Sequence, residues 1–132
     1  DRGLIAADSG LRPKAPGMKY RHYAPKAQLT VVEGAPDNVV RTIRSLAQKL
    51  EEDKVGIICV QEHLPEYEYG IVKCIGSLED ETAIARNLYG ILRDFDQSGV
   101  ECIYSEAFDT PNMGQAIMNR LLKAAGQSRI NV

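Results

Sequence analysis

Lys54-Val55-Gly56-Ile57-Ile58-Cys59-Val60 decides the fold. After Lys54 the run has no polar break, whereas a strand with one wet face alternates apolar and polar residues. A short, continuous apolar run is the pattern of a strand covered on both faces, which is the situation of strands in a parallel sheet lying between helices. The flanking segments agree. Upstream, Gln28 to Glu33 (QLTVVE) reads as a strand. Pro36 then opens a helix at a position where its missing N–H costs nothing. Val39, Ile43, Leu46, Ala47 and Leu50 recur at helical spacing to about Glu52.

Downstream, Gln61 to Gly70 is a polar, Pro-containing loop, and Ile71 to Gly76 is a shorter strand. Ser77 is placed to cap the next helix, with Asp80 three residues on. Ile84, Leu88, Ile91, Leu92 and Phe95 form that helix's apolar stripe, and Gly99 ends it. Val100 to Ser105 (VECIYS) is another strand. Thr110-Pro111 reads as a cap followed by a first-turn proline. Ile117, Met118, Leu121, Leu122 and Ala125 carry the last helix, Gly126 stops it, and Arg129 to Val132 forms a final edge strand.

Strands alternating with helices predict an α/β domain of three layers, Rossmann-like or flavodoxin-like, with a mostly parallel sheet. It covers residues 28–132 and follows an extended linker arm, residues 1–27. The short link between the second and third strands leaves their relative direction open.

With 132 residues, 44% hydrophobic and 26% charged, the composition is that of a single globular domain. No apolar run approaches membrane-span length, and no signal-peptide pattern opens the chain. The net charge of −2 hides an asymmetry. Arg12 to Lys26 holds five bases and no acid, whereas residues 27–132 hold ten bases and sixteen acids. The globular part is therefore a poor nucleic-acid surface, and only the arm is basic. Cys59, Cys74 and Cys102 are odd in number and far apart, and the two histidines lack metal-ligand spacing. The expectation is three buried thiols in a reducing cytoplasm, with no metal.

The arm carries the chemically unusual stretch Pro16-Gly17-Met18-Lys19-Tyr20-Arg21-His22-Tyr23-Ala24-Pro25. Proline at both ends favours extended backbone. Lys19, Arg21 and Tyr23 then face one way, and Tyr20 and His22 the other. Such a strip suits a phosphate or polyanion, with rings available to stack or to close a lid.

This stretch, read from Ala15, resembles the interdomain linker of the two-domain threonylcarbamoyl-AMP synthases, the longer members of the YrdC-related family. Gly114-Gln115-Ala116-Ile117-Met118-Asn119-Arg120-Leu121-Leu122-Lys123-Ala124-Ala125-Gly126 is similar to that family's final helix. The resemblance implies an accessory C-terminal domain with its linker. Its partner is an N-terminal YrdC-like catalytic domain for which this chain has no room. It further implies that the full-length protein makes threonylcarbamoyl-adenylate from ATP, with magnesium, L-threonine and bicarbonate, releasing pyrophosphate and serving tRNA threonylcarbamoyladenosine modification in the cytoplasm. The fragment itself is expected to hold no catalytic residue and no cofactor, and to be inactive alone. By the same resemblance, the arm reaches over the catalytic pocket as a lid. Side-chain chemistry then suggests that Lys19 and Arg21 neutralise phosphate or carboxylate, that Tyr20 and Tyr23 close the pocket, and that His22 donates or accepts a hydrogen bond.

Within the α/β domain no Gly-x-Gly-x-x-Gly or P-loop pattern occurs, so the fold alone implies no dinucleotide. The loop Glu106 to Gly114 is placed at a strand's carboxyl end and a helix start, where Thr110, Asn112 and Gly114 could form an anion crevice. That supports the competing function, a stand-alone nucleotide- or anion-binding regulatory module. The plainer reading, a helix cap with Glu106 and Asp109 as solvated charges, is preferred. His63 is read as an exposed loop histidine rather than a base paired with Glu62. Tyr67 and Tyr69 are read as solvent-facing rather than as a docking edge.

Overall fold

The computed structural model describes residues 24–132 and the backbone of residues 4–7 and 10–12. Leu4–Ala7 (β1) and Gly10–Arg12 (β2) pair antiparallel. Lys19, Tyr20, Arg21, His22 and Tyr23 lie outside the described residues.

The central sheet is parallel throughout. Its strands are Gln28–Glu33 (β3), Val55–Val60 (β4), Ile71–Gly76 (β5), Cys102–Glu106 (β6) and Arg129–Asn131 (β7), in the spatial order β5-β4-β6-β3-β7. Every residue of β4 is buried, as its unbroken apolar run requires. The open question of direction is answered too: β4 and β5 run parallel, joined by a connection that contains a 3₁₀ turn over Gln61–Glu66 instead of a full helix.

Among the described residues, three α-helices complete the layers: Pro36–Ala47 (α1), Glu81–Ser98 (α2) and Gly114–Ala124 (α3). Parallel crossovers are right-handed, so connections moving in opposite directions across the sheet land on opposite faces. The connections β3-α1-β4 and β4-β5 move toward the β5 edge. The connections β5-α2-β6 and β6-α3-β7 move toward the β7 edge. The core accordingly divides in two. Val39, Ile43 and Ala47 of α1 pack with Val32, Ile57 and Tyr67 on one face. Ile84, Leu88 and Phe95 of α2 pack with Ile117 and Leu121 of α3 on the other. Gly56 is needed for the second packing, because a Cβ there would enter the Phe95 ring.

The boundaries differ from expectation where local hydrogen bonds intervene. Helix α1 ends at Ala47 rather than near Glu52, because Lys49 N–H and Leu50 N–H turn back to the Leu46 and Ala47 carbonyls and tighten the chain into i→i+3 bonds. The cap of α2 is Asp80, whose Oδ1 accepts from Ala83 N–H at 3.2 Å, and not Ser77. Ser77 instead donates to Glu62 Oε2 at 2.7 Å. Helix α3 starts at Gly114, so Thr110-Pro111 precedes its first turn. Of the three cysteines, all free, only Cys59 is buried, while Cys74 is exposed on the edge strand β5. Burial first, then the Glu106 charge, pushes the Cys59 thiol up to about 12, which leaves it an inert core group.

Candidate functional site

Strands β3 and β6 are neighbours whose connections leave toward opposite edges of the sheet, and β4 and β6 are a second such pair. Chains that part in this way open a crevice beyond the strands' carboxyl ends. A cavity of about 530 Å³ lies there, lined by Glu33 and Gly34 after β3, Val60 and His63 after β4, and Glu106, Ala107 and Asp109 after β6. Pro36 and Val39 of α1, Met118 and Leu122 of α3, Leu78 and Arg129 complete it.

Glu106 organises this crevice. It is only 2% exposed, so its carboxylate must find partners inside the protein. Val60 N–H donates to Oε1 at 3.0 Å, and the Tyr67 hydroxyl donates to Oε2 at 2.6 Å. His63 Nδ1 sits 3.1 Å from Oε1 and 3.0 Å from Oε2. The strand's period of two explains the direction: Tyr104 and Glu106 point to the α1 face, and Ser105 to the other. Burial, and then the hydrogen bond to Glu106, raise the Tyr67 phenol far above its ordinary value, so this hydroxyl stays a donor.

Three expectations are therefore corrected. Glu106 is buried and paired, not solvated. His63 is half-buried against Glu106, while Glu62 turns away to Ser77 and to Leu78 N–H at 3.1 Å. Tyr67 is buried, and Tyr69 donates to the Leu50 carbonyl at 2.7 Å, so neither is a solvent-facing ring. No sequence pattern joins these groups, since Glu106 lies 43 residues from His63 and 39 from Tyr67. An acid closing a strand-like run was the single available signal.

Thr110, Asn112 and Gly114 do not line the cavity. The N–H groups of Asn112 and Met113 donate to Glu81 Oε1 at 3.2 and 2.8 Å. A carboxylate of the protein thus stands where an external anion was expected. The buried Thr110 hydroxyl, although outside strict hydrogen-bond geometry, contributes most to holding the Glu81 carboxyl below its ordinary value, followed by Met113 N–H. Among the described residues, no group of three His, Cys, Asp or Glu is placed to hold a metal, and no helix is long and apolar enough to cross a membrane.

Residues 3–126 match the family described as threonylcarbamoyl-AMP synthase, C-terminal domain. The chain belongs to that family. The threonylcarbamoyl-AMP synthase of Bacillus subtilis is 40% identical over 126 residues, covering 96% of this chain and 35% of the relative. That of Pyrococcus abyssi is 46% identical over 121 residues, covering 90% and 34%. The chain thus spans about a third of the length of these curated relatives. The crystal structure of P. abyssi Sua5 complexed with L-threonine superposes with a TM-score of 0.74 at 44% identity, covering 92% of this chain and 34% of that one. A C-terminal Sua5 domain from Pyrococcus horikoshii superposes at 0.62 with 31% identity and is covered over its whole length. The parallel α/β sheet is therefore the fold of a threonylcarbamoyl-AMP synthase C-terminal domain.

Proposed function

We propose that this chain is the accessory C-terminal domain of a two-domain cytoplasmic L-threonylcarbamoyladenylate synthase. Its arm would serve as a lid over the active site of an N-terminal YrdC-like domain. The observation that carries this reading is the family match over residues 3–126 in a chain spanning only a third of its relatives. The whole enzyme would convert ATP, L-threonine and bicarbonate to threonylcarbamoyl-AMP and pyrophosphate for tRNA modification. ATP and magnesium would be bound by the missing domain.

In this reading Lys19 and Arg21 offset the charge of phosphate or carboxylate groups on the bound reactants. Tyr20 and Tyr23 exclude water from a labile threonylcarbamate, and His22 hydrogen-bonds at the pocket mouth. Two observations support a working arm. Lys26 N–H donates to Asp96 Oδ1 of α2 at 2.9 Å, which gives the arm a fixed point of departure at the amino-terminal edge of β3. A P. abyssi Sua5 structure was determined for a variant with an adjacent His and Tyr both changed to Ala, and this chain contains one His-Tyr dipeptide, His22-Tyr23.

The test uses the full-length enzyme. Arg21→Ala and Tyr20→Ala should each slow adenylate formation about ten- to a hundred-fold, the effect of one charge-assisted hydrogen bond made in the transition state. The melting temperature should not move. Wild-type rates in both variants would reduce the arm to a tether. Pyrophosphate release by the isolated chain above background would overturn the assignment of catalysis to the other domain.

A further inference from the structure

We propose that Asp96, near the carboxyl end of α2, is a positioning residue for the arm: it fixes the origin from which the motif Lys19 to Tyr23 reaches its target. The inference rests on the lid reading of that motif given above. Lys26 N–H donates to Asp96 Oδ1 at 2.9 Å, although 70 residues separate the two. Two contacts hold the chain just after it. The Ala27 side chain packs against the core on the α2 face, and Gln28 N–H donates to the Glu101 carbonyl at 3.0 Å. Pro25 has no N–H to offer, so among the described residues the Asp96 bond is the outermost hydrogen bond on the arm. Only Ala24 and Pro25 lie between Lys26 and Tyr23. A chain advances at most about 3.6 Å per residue, so three steps carry Tyr23 no more than about 11 Å from Lys26. Whatever holds Lys26 therefore confines the near end of the motif to a small volume.

The placement of Asp96 works against α2 itself. The last turn of α2 has no basic residue, and Asp96 lies two positions before its final residue, Ser98. Carboxylates are disfavoured at that end, where the helix dipole is negative. Among the described residues, the hydrogen bond that Asp96 makes is the one to Lys26 N–H, so the contact that offsets this cost is its hold on the arm. Charge agrees: Arg12 to Lys26 holds five bases and no acid, and the exposed Glu101 adds a second carboxylate where the arm leaves the sheet. A tethered lid closes more readily when its origin is held, because less chain freedom is lost on closure. Removing the hold lowers the closed fraction without touching a reacting group.

The experiment measures kcat/KM for adenylate formation by the full-length enzyme. Asp96→Ala should lower it about two- to tenfold, the range of one net hydrogen bond. Asp96→Asn keeps an acceptor oxygen and should stay within about twofold of wild type. The melting temperature of Asp96→Ala should not fall, since alanine is the better helix former and an unfavourable charge is removed. In a Tyr20→Ala/Arg21→Ala background the Asp96→Ala change should have no further effect, because no lid is left to place. Wild-type kcat/KM in Asp96→Ala, beside slow synthesis by Tyr20→Ala/Arg21→Ala, overturns this inference and leaves the lid standing. Wild-type rates in Tyr20→Ala/Arg21→Ala overturn the lid and this inference with it. Equal losses from Asp96→Ala in both backgrounds, or a fall in melting temperature that tracks the loss of rate, overturn it by making Asp96 a structural residue.

Discussion

Glu106 and Glu81 do the same chemical task in different solvents. Each carboxylate accepts backbone N–H from a neighbouring segment: Glu106 from Val60 at the end of β4, and Glu81 from Asn112 and Met113 just before α3. Glu106 is sealed in the crevice floor, and Glu81 lies half-exposed at the surface, on the first turn of α2. A buried carboxylate that loses its partners, or partners that lose it, bear the full desolvation cost. At the surface, water replaces whatever is removed. The difference teaches where the fold depends on polar groups and where it merely tolerates them.

The largest test of that contrast is Glu106→Ala. It strands the Tyr67 hydroxyl, the Val60 N–H and one face of His63, and it should cost roughly 3 kcal/mol in urea unfolding. A loss no greater than that of a surface substitution would erase the distinction between the two sites. Tyr67→Phe removes one donor and keeps the ring, so about 1 kcal/mol is expected. It also has a pH signature. The Tyr67 phenol is raised in the folded state, so its contribution is complete below the ordinary value of 10.0 and is lost as pH rises beyond it. Wild-type stability should therefore fall more steeply above about pH 10 than that of Tyr67→Phe, as followed by denaturant midpoints across alkaline pH.

The smallest effect belongs to Glu81→Gln. The folded carboxyl is held below its ordinary value of 4.5, so its contribution is present above that pH and disappears as pH falls through the lowered value. The variant's melting temperature should lie close to wild type at neutral pH and merge with it in acid. A shift at neutral pH as large as that of Glu106→Ala would show that exposure does not separate the two carboxylates.

Local patterns carried the fold because its elements are set by near neighbours. The bare apolar run at Val55 to Val60 required cover on both faces, and α1 and α2 supply it from opposite sides. Gly99 ends α2 in the left-handed region with φ 82°, the terminus that its glycine suggested. Boundaries slipped where side chains chose between competing bonds, as at Ser77, which serves Glu62 while Asp80 caps the helix. The crevice was only half legible. Its place at the end of β6 followed from the alternation of strands and helices, but its contents did not.

Sequence by itself determined the order of the elements, the two-faced burial of the sheet, the basic arm and, through the arm's peptide, the family. These are properties of contiguous residues: periodicity, proline and glycine geometry, local charge. Tertiary structure alone decided that Glu106, His63 and Tyr67 share one site, that β5 runs parallel to β4, and that Glu81 takes the N–H groups at the start of α3. Each of those outcomes depends on which strand ends lie side by side. In the order β5-β4-β6-β3-β7, the end of β6 falls between two strands that precede it in the chain, and residues some forty positions apart meet on the floor of one crevice.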